Sequence, residues 1–358
     1  MKKILFSVNH FDYSNGVAMA LKNIIANIDQ RKYEIYVNAI YNYDQAFGAS
    51  VQERFHKVPG FGFYFRGLDK IVNLMPNSLL YKMFFRQEFD LEIAFQYGIP
   101  TKVLSTSKGP KICWMHTYDK NLSLREYYKR FDRIITVSKV GSERLVENGF
   151  DRDRVDYCYN IIDEESITQK QEEQCPFIKG KERIITTVAR LDKDKAYMRY
   201  FKCINAVRNK IHNTKFWIVG GGSEETALRN YIKDNSLQDL IVMTGAQKNP
   251  YPYLKQSDLY FCSSYREGFS TACQEASIIG IPVVSVSVDG AEELVELAGC
   301  GKVIDNTEEA IMDALVNLSS SEDLIHTWKE TAQNNKNRFY KRNRIQKIES
   351  VIDSVLNQ

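Results

Sequence analysis

The chain has 358 residues, 44% hydrophobic and 26% charged, a composition that supports packed cores and excludes disorder as the main theme. At about 100–200 residues per domain, this length favours two domains. With 48 basic and 45 acidic residues the net charge is only +3, which excludes a dedicated nucleic-acid binder with its dense phosphate-neutralising surface.

No run approaches the roughly 18 uninterrupted apolar residues a spanning helix needs. The start, MKKILFSVNHFD, resembles a short signal peptide, but Asn9, His10 and Asp12 interrupt its apolar run and no small-residue cleavage site follows. It reads as a first buried strand. The seven cysteines are scattered without a CxxC pair, which suits a reducing compartment. A cytosolic protein is expected.

In chain order, KKILFSV predicts a strand buried on both faces. A turn at Ser14-Asn15-Gly16 leads into a helical pattern from Val17 to Ile28. YEIYVNAIY, LEIAFQY, KICWMH, RIITVS and VDYCYN are further strands with helical stretches between them. The polar stretch 164–182 reads as a linker. Beyond it, RIITTVAR, TKFWIVGGG, LIVMTG, LYFCSS and PVVSVSV predict strands, and 196–211, 223–235 and 267–280 predict helices. Alternating strands and helices imply parallel sheets. Two successive doubly wound domains place ligands at the carboxyl ends of their strands. The last stretch, about 320–358, is helical. Residues 1–160 carry 23 Lys/Arg and 17 Asp/Glu, so the first part is +6 and the remainder −3.

Candidate chemistry clusters after the strands. In SYREGFSTACQEASIIGIPVV, Glu267 and Glu275 bracket the start of a helix. Backbone N–H groups of Phe269, Ser270 and Thr271 there make an anion site. Glu275 suits the two hydroxyls of a ribose and Glu267 those of a sugar ring; an ordinary helix start with a capping acid reads the same. Arg190 ends a strand and Lys195 comes five residues later, a spacing that lets a fork and a point charge grip a diphosphate; a solvated basic loop is the alternative. Asp192-Lys193-Asp194 has the form of a DxD metal motif, but its basic surroundings point to chance, and no metal site is expected. Gly220-Gly221-Gly222 lacks the glycine at 225 that a dinucleotide fingerprint needs. It reads either as a tight turn or as a close backbone approach to a ligand. Gly16 occupies the matching position in the first half. His116 closes a strand, where it suits a sugar hydroxyl or a structural contact. No GxSxG elbow or GxxxxGK[ST] loop is present.

The order of these pieces is distinctive. NGVAMALKNI, WMHT (114–117), RIITVS, YNIID (159–163), ARLDKDK (189–195), IVGGGSE (218–224) and the stretch 244–284 together resemble the retaining glycosyltransferases of family 4, the "group 1" family. The resemblance spans nearly the whole chain and is looser between 45 and 110. It implies an α/β GT-B fold of two Rossmann-like domains facing across a cleft. Residues 1–165 would bind the acceptor and 166–335 the nucleotide sugar, with 336–358 a helix crossing back. It further implies that Glu267 meets the donor sugar and Glu275 the ribose, while Arg190, Lys195 and the 269–271 backbone bind the diphosphate. Gly16 and Gly221 serve the donor, His116 the sugar, and the loop holding Gln247 and Asn249 the base. Asn15 and Ala196 stand where the family often has glycine.

The implied reaction moves a hexose-type sugar, with retention, from a UDP-sugar to a glycan or lipid-linked acceptor in polysaccharide synthesis, without metal or cofactor. Aromatics interleave with Arg66, Lys70, Lys82 and Arg86 in 61–86. That stretch either rests peripherally on anionic membrane from the cytoplasmic side or packs as helices on the first sheet. A sugar-nucleotide epimerase and a non-catalytic nucleotide-sugar-binding or partner-activating protein are the competing readings.

Overall fold

The run KKILFSV forms the centre of a parallel sheet because both its faces are covered: Ile4, Leu5, Phe6 and Val8 are fully buried. In this computed structural model, residues 1–13, 16–51, 54–116 and 122–358 are described; Ser14, Asn15 and Thr117 of the motifs above lie outside them. The chain divides into one unit of Met1–Ile161 with Lys341–Gln358 and a second of Ile162–Tyr340.

The first unit contains strands β1 (Lys2–Val8), β2 (Tyr33–Ala39), β3 (His56–Val58), β4 (Leu91–Ala94), β5 (Lys111–Met115), β6 (Arg133–Thr136) and β7 (Val155–Tyr157). All pair in parallel, in the order β3-β2-β1-β4-β5-β6-β7. Ile4 faces Ile35 on one side and Leu91 on the other. The second unit repeats the winding with β8 (Arg183–Val188), β9 (Thr214–Val219), β10 (Ile241–Gly245), β11 (Leu259–Cys262), β12 (Val283–Val286) and β13 (Lys302–Ile304). Their order is β10-β9-β8-β11-β12-β13, again parallel. Strand order therefore reverses between β1 and β4 and between β8 and β11. Those are the switch points where open α/β sheets bind ligands.

Three differences from the sequence reading have simple causes. Strands β3 and β13 carry no clear apolar pattern, since each has three residues and a single buried one. The stretch 164–182 is no free linker: Glu164–Lys170 is a helix capped by Asp163, whose side chain accepts from the Ser166 N–H. Its Ile167 is buried, and Lys179 pairs with Asp258 at 2.5 Å, so polar residues here anchor to the second unit. Strand β8 ends at Val188, which leaves Arg190 in the following loop.

The helix Lys341–Leu356 belongs to the first unit. Ile348, Val351, Ile352 and Val355 are buried, the i, i+3, i+4, i+7 stripe of an amphipathic helix. Each such side chain contributes roughly 1.5–3 kcal/mol. Polar contacts fix its register: the Asp29 N–H donates to Glu349 Oε1 at 2.9 Å and the Tyr33 hydroxyl to Asp353 Oδ1 at 2.6 Å.

Residues 61–86 form two short helices, Leu68–Leu74 and Asn77–Phe84. Leu68, Val72, Leu80 and Phe84 pack inward, while Phe63 is 53% exposed, Phe65 51%, Leu79 51% and Leu74 87%. The segment thus covers its sheet and presents a second, outward apolar face. No helix among the described residues is long and apolar enough to cross a membrane.

Candidate functional site

Beyond β8 the chain makes a single tight turn, Lys193–Lys195, before the helix Tyr197–Val207. The joint is Ala196, at φ 57°, a left-handed conformation that costs an L-residue about 1–2 kcal/mol. Glycine would adopt it freely. Three bonds fasten this turn to the loop after β11. The Ser263 hydroxyl donates to the Lys195 carbonyl at 3.1 Å, the Tyr265 N–H to the Asp194 carbonyl at 2.8 Å, and Lys195 Nζ to Glu267 Oε1 at 2.7 Å. Buried Arg199 adds a bond from Nη2 to the Ser263 carbonyl at 2.7 Å.

Between the two loops, at the β8/β11 switch point, lies a pocket of about 230 Å³ whose lining includes Arg190, Lys195, Ser264, Glu267, Ser270 and Thr271. Glu267 Oε1 accepts from both Lys195 Nζ and the Ser264 hydroxyl, each at 2.7 Å. The side chains of Lys195 and Glu267 are only 23% and 12% exposed, so their attraction is screened less than at the surface. Arg190 is 74% exposed and pairs with Asp192 at 2.8 Å. The pocket reaches the helix Thr271–Ile279, which starts later than the predicted 267 because Ser270 is its N-cap and accepts from the Cys273 N–H. The first N–H groups of a helix have no partner within it and attract anions.

Glu275 lies farther along the same helix, outside the pocket lining. The Tyr251 hydroxyl donates to its Oε1 at 3.1 Å. Loss of water pushes this carboxyl up to about 7, against the opposing pull of Tyr251 and Lys170. A carboxylate held near neutrality responds strongly to any ligand that hydrogen-bonds its charged form.

Other expected residues also make contacts within the protein. Asn249 donates to the Lys170 carbonyl at 2.8 Å and accepts from the Tyr251 N–H at 3.1 Å, so its amide ties elements of the protein together. Gln247 donates to the Thr244 carbonyl at 2.8 Å. Phe269 is buried. The glycine run is required by the chain itself: a Cβ at Gly220 would stand 1.9 Å from the Ala189 carbonyl oxygen, and one at Gly222 2.7 Å from the Leu191 backbone. The Gly221 carbonyl accepts from the Leu191 N–H at 2.9 Å. These glycines let the loop containing Arg190 lie against the β9 turn. Asp192 is the counterion of Arg190 and also accepts from the Ser223 hydroxyl at 3.1 Å, which gives the DxD-like sequence a structural duty. Among the described residues, no three His, Cys, Asp or Glu side chains are grouped to hold a metal ion.

Gly16 and His116 belong to the first unit. Gly16 opens the helix Gly16–Asn27 with open space around its Cβ position. His116 follows β5 rather than closing it. Its ring packs edge-on against Phe95, centroids 4.6 Å apart, and Nε2 is buried with no partner among the described residues. Burial pushes its pKa down to about 3. The ring is neutral at physiological pH, suited to a hydrogen bond with a neutral ligand rather than to carrying charge.

Two family models match the chain: Glycosyltransferase Family 4 over residues 14–166 and Glycosyl transferases group 1 over residues 168–335. The chain belongs to the group 1 glycosyltransferases. This one is 28% identical over 257 residues to N-acetylgalactosamine-N,N'-diacetylbacillosaminyl-diphospho-undecaprenol 4-alpha-N-acetylgalactosaminyltransferase of Campylobacter jejuni, covering 70% of this chain and 69% of that protein. It is 26% identical to the UDP-Gal:alpha-D-GlcNAc-diphosphoundecaprenol alpha-1,3-galactosyltransferase of Escherichia coli, over 69% of this chain and 61% of that one. Against other curated relatives it spans about half of their length or less. The crystal structure of Anabaena HepE with UDP and glucose superposes with a TM-score of 0.76 over 99% of this chain and all of that one, at 18% identity. At that identity the likeness speaks for the fold alone, and the fold is GT-B.

The sequence reading missed Ser263, Ser264 and Tyr251. The two serines directly after LYFC were a usable signal, since hydroxyls that follow a buried strand at its carboxyl end face the ligand side. Nothing in the spacing of Tyr251 and Glu275 announces their contact.

Proposed function

We propose that this glycosyltransferase moves a hexose-type sugar from a UDP-sugar to a hydroxyl of a glycan or lipid-linked acceptor, with retention of anomeric configuration and without a metal, in polysaccharide synthesis. The observation that carries the reading is the convergence of Arg190, Lys195, Glu267 and the start of the helix Thr271–Ile279 on one pocket at the β8/β11 switch point. Two cations and a helix N-terminus suit a diphosphate. A shielded carboxylate beside them suits sugar hydroxyls. Glu275, farther along the helix, suits the ribose, with the loop of Gln247 and Asn249 toward the base. The lipid-linked acceptors named for the Campylobacter and Escherichia relatives support an acceptor of that class.

In the proposed reaction the acceptor oxygen bonds to the anomeric carbon on the face from which the diphosphate departs. The bond from that carbon to the diphosphate oxygen breaks, and the acceptor proton passes to the departing diphosphate. Lys195, Arg190 and the helix N-terminus stabilise the charge that develops there, the kind of electrostatic contribution that is commonly the largest in catalysis. The test is to incubate purified protein with a panel of nucleotide sugars and polyprenyl diphosphate-linked N-acetylglucosamine, in EDTA. Release of UDP with an axial product linkage from an axial donor supports the reading. Binding without release, or an inverted linkage, overturns it.

The outward apolar face of residues 63–83 would meet the membrane that holds such an acceptor, from the cytoplasmic side. Phe63, Phe65, Leu74 and Leu79 are exposed there, and residues 1–160 carry the +6 charge that favours anionic headgroups. Co-sedimentation with phosphatidylglycerol vesicles at low salt is expected. Phe63→Ser with Phe65→Ser should weaken it about tenfold, given the apolar area lost. Wild-type protein that stays in the supernatant sinks the membrane contact.

A further inference from the structure

The two cations of the pocket are both already engaged. Lys195 Nζ meets Glu267 Oε1 at 2.7 Å, and Arg190 Nη1 meets Asp192 Oδ2 at 2.8 Å. Each acid is in turn held by a serine: Ser264 donates to Glu267 Oε1 at 2.7 Å and Ser223 to Asp192 Oδ1 at 3.1 Å. The same cation–carboxylate–serine arrangement thus occurs twice, around the two residues placed to grip a diphosphate. A carboxylate positioned by a second hydrogen bond is a fixed counterion, not a side chain passing through.

We propose that Glu267 and Asp192 are internal stand-ins for the donor's phosphate oxygens. Resting on the reading of this pocket as the donor site, the proposal is that a nucleotide sugar binds by exchanging these carboxylates for phosphate on Lys195 and Arg190. The exchange keeps the cations paired and oriented in the empty pocket. At Glu267 it also makes the site distinguish substrate from product. When a complete donor enters, Glu267 gives up Lys195 and gains hydrogen bonds from sugar hydroxyls. When only the nucleoside diphosphate remains, no sugar compensates Glu267, and its return to Lys195 favours release. Nucleotide affinity is therefore set partly by acids that compete with the ligand, and Asp192 becomes an affinity-setting residue that needs no contact with the donor.

The two pairs differ in weight. Lys195 and Glu267 are largely shielded, whereas Arg190 is 74% exposed, and exposed pairs are weak. Isothermal titration of the intact protein with UDP and with inorganic pyrophosphate reads the difference. Glu267→Gln keeps the side chain's shape and removes its charge. It is expected to bind both ligands about 5- to 10-fold more tightly than wild type, and Asp192→Asn about twofold. The gain should shrink as salt rises. In initial-rate measurements, product inhibition by UDP should strengthen in Glu267→Gln although turnover falls. A merely structural role, or one confined to sugar contact, would leave UDP affinity unchanged or weaker.

Unchanged or weaker binding of both ligands by Glu267→Gln, with an intact melting transition, overturns the exchange. If Glu267→Gln does not fold, Asp192→Asn decides by the same measure. Tighter pyrophosphate binding without any UDP binding would support the exchange and overturn the choice of uridine nucleotide. Failure of wild type and both variants to bind either ligand would overturn the exchange and the donor-site reading together.

Discussion

Lys195→Ala is expected to lower the rate of sugar transfer at least about 100-fold, in the range seen when one donor is removed from a preorganised charge-stabilising site. Its ammonium lies in the pocket 2.7 Å from Glu267 and its side chain is 23% exposed, so little water is available to replace it. The loss should fall mainly on kcat, because negative charge on the bridging oxygen grows as the sugar leaves. An interaction that strengthens only at that moment affects turnover more than ground-state binding. Lys195→Arg should recover only part of the rate, since a planar fork cannot reproduce a point charge on the same stem. The variant also leaves Glu267 with Ser264 alone, and for that reason thermal melting and UDP titration must accompany the kinetics.

A double variant separates the two duties of the pair. Glu267→Gln by itself is expected to slow transfer while tightening UDP. In Lys195→Ala with Glu267→Gln the tightening should disappear, because no cation remains to be released. Residues in contact deviate from additivity in this way. Transfer rates within a few-fold of wild type for Lys195→Ala would place the diphosphate elsewhere and remove the basis of the mechanism.

The site was legible in the sequence wherever chemistry follows directly on a strand. Arg190, Lys195 and Glu267 come after apolar runs that become β8 and β11, and parallel winding brings the carboxyl ends of those neighbours together. Their convergence needs only the strand order. What the sequence left open depends on contacts between distant loops. Ser223 lies 31 residues from Asp192 and Tyr251 24 from Glu275, and no periodicity encodes such pairs. Asn249 carries a duty that the sequence does not announce: its amide donates to the Lys170 carbonyl and accepts from the Tyr251 N–H, contacts that hold the loop in place. The glycine run left two readings open because absence of a side chain looks the same in sequence whether a ligand or backbone fills the space; at Gly220 and Gly222 the Ala189–Leu191 backbone does. Strands β3 and β13 escaped because each buries one residue and carries a lysine, whereas the equally short edge strand β7 is prolonged by buried Cys158.

Glu275→Gln should make the protein more stable at pH 8 and a poorer binder of nucleotide. Burial raises the Glu275 carboxyl from 4.5 to about 7. Between those values the unfolded chain has released a proton that the folded protein still holds. Stability from this group therefore falls as pH rises through that window and stays low above 7. The whole difference corresponds to about 3 kcal/mol, and about 2 kcal/mol after allowing for the surface Glu275 keeps. Glutamine holds no titrating charge and still accepts from the Tyr251 hydroxyl. The variant should match wild type near pH 4.5 and melt roughly 4–8 °C higher at pH 8. Binding should move the other way. Ribose hydroxyls donate to the charged carboxylate, so UDP affinity in wild type should weaken as pH drops below 7, and that dependence should vanish in Glu275→Gln. At pH 8 the variant should bind UDP about 10- to 100-fold less tightly, the contribution of hydrogen bonds to a charged acceptor. Melting curves and UDP titrations at pH 5, 6.5 and 8 check both halves. Equal melting shifts at pH 5 and pH 8 would contradict the raised carboxyl, and unchanged UDP affinity would remove Glu275 from the nucleotide site. A residue that costs the fold stability at the pH where it must bind is what a desolvated binding carboxylate should look like.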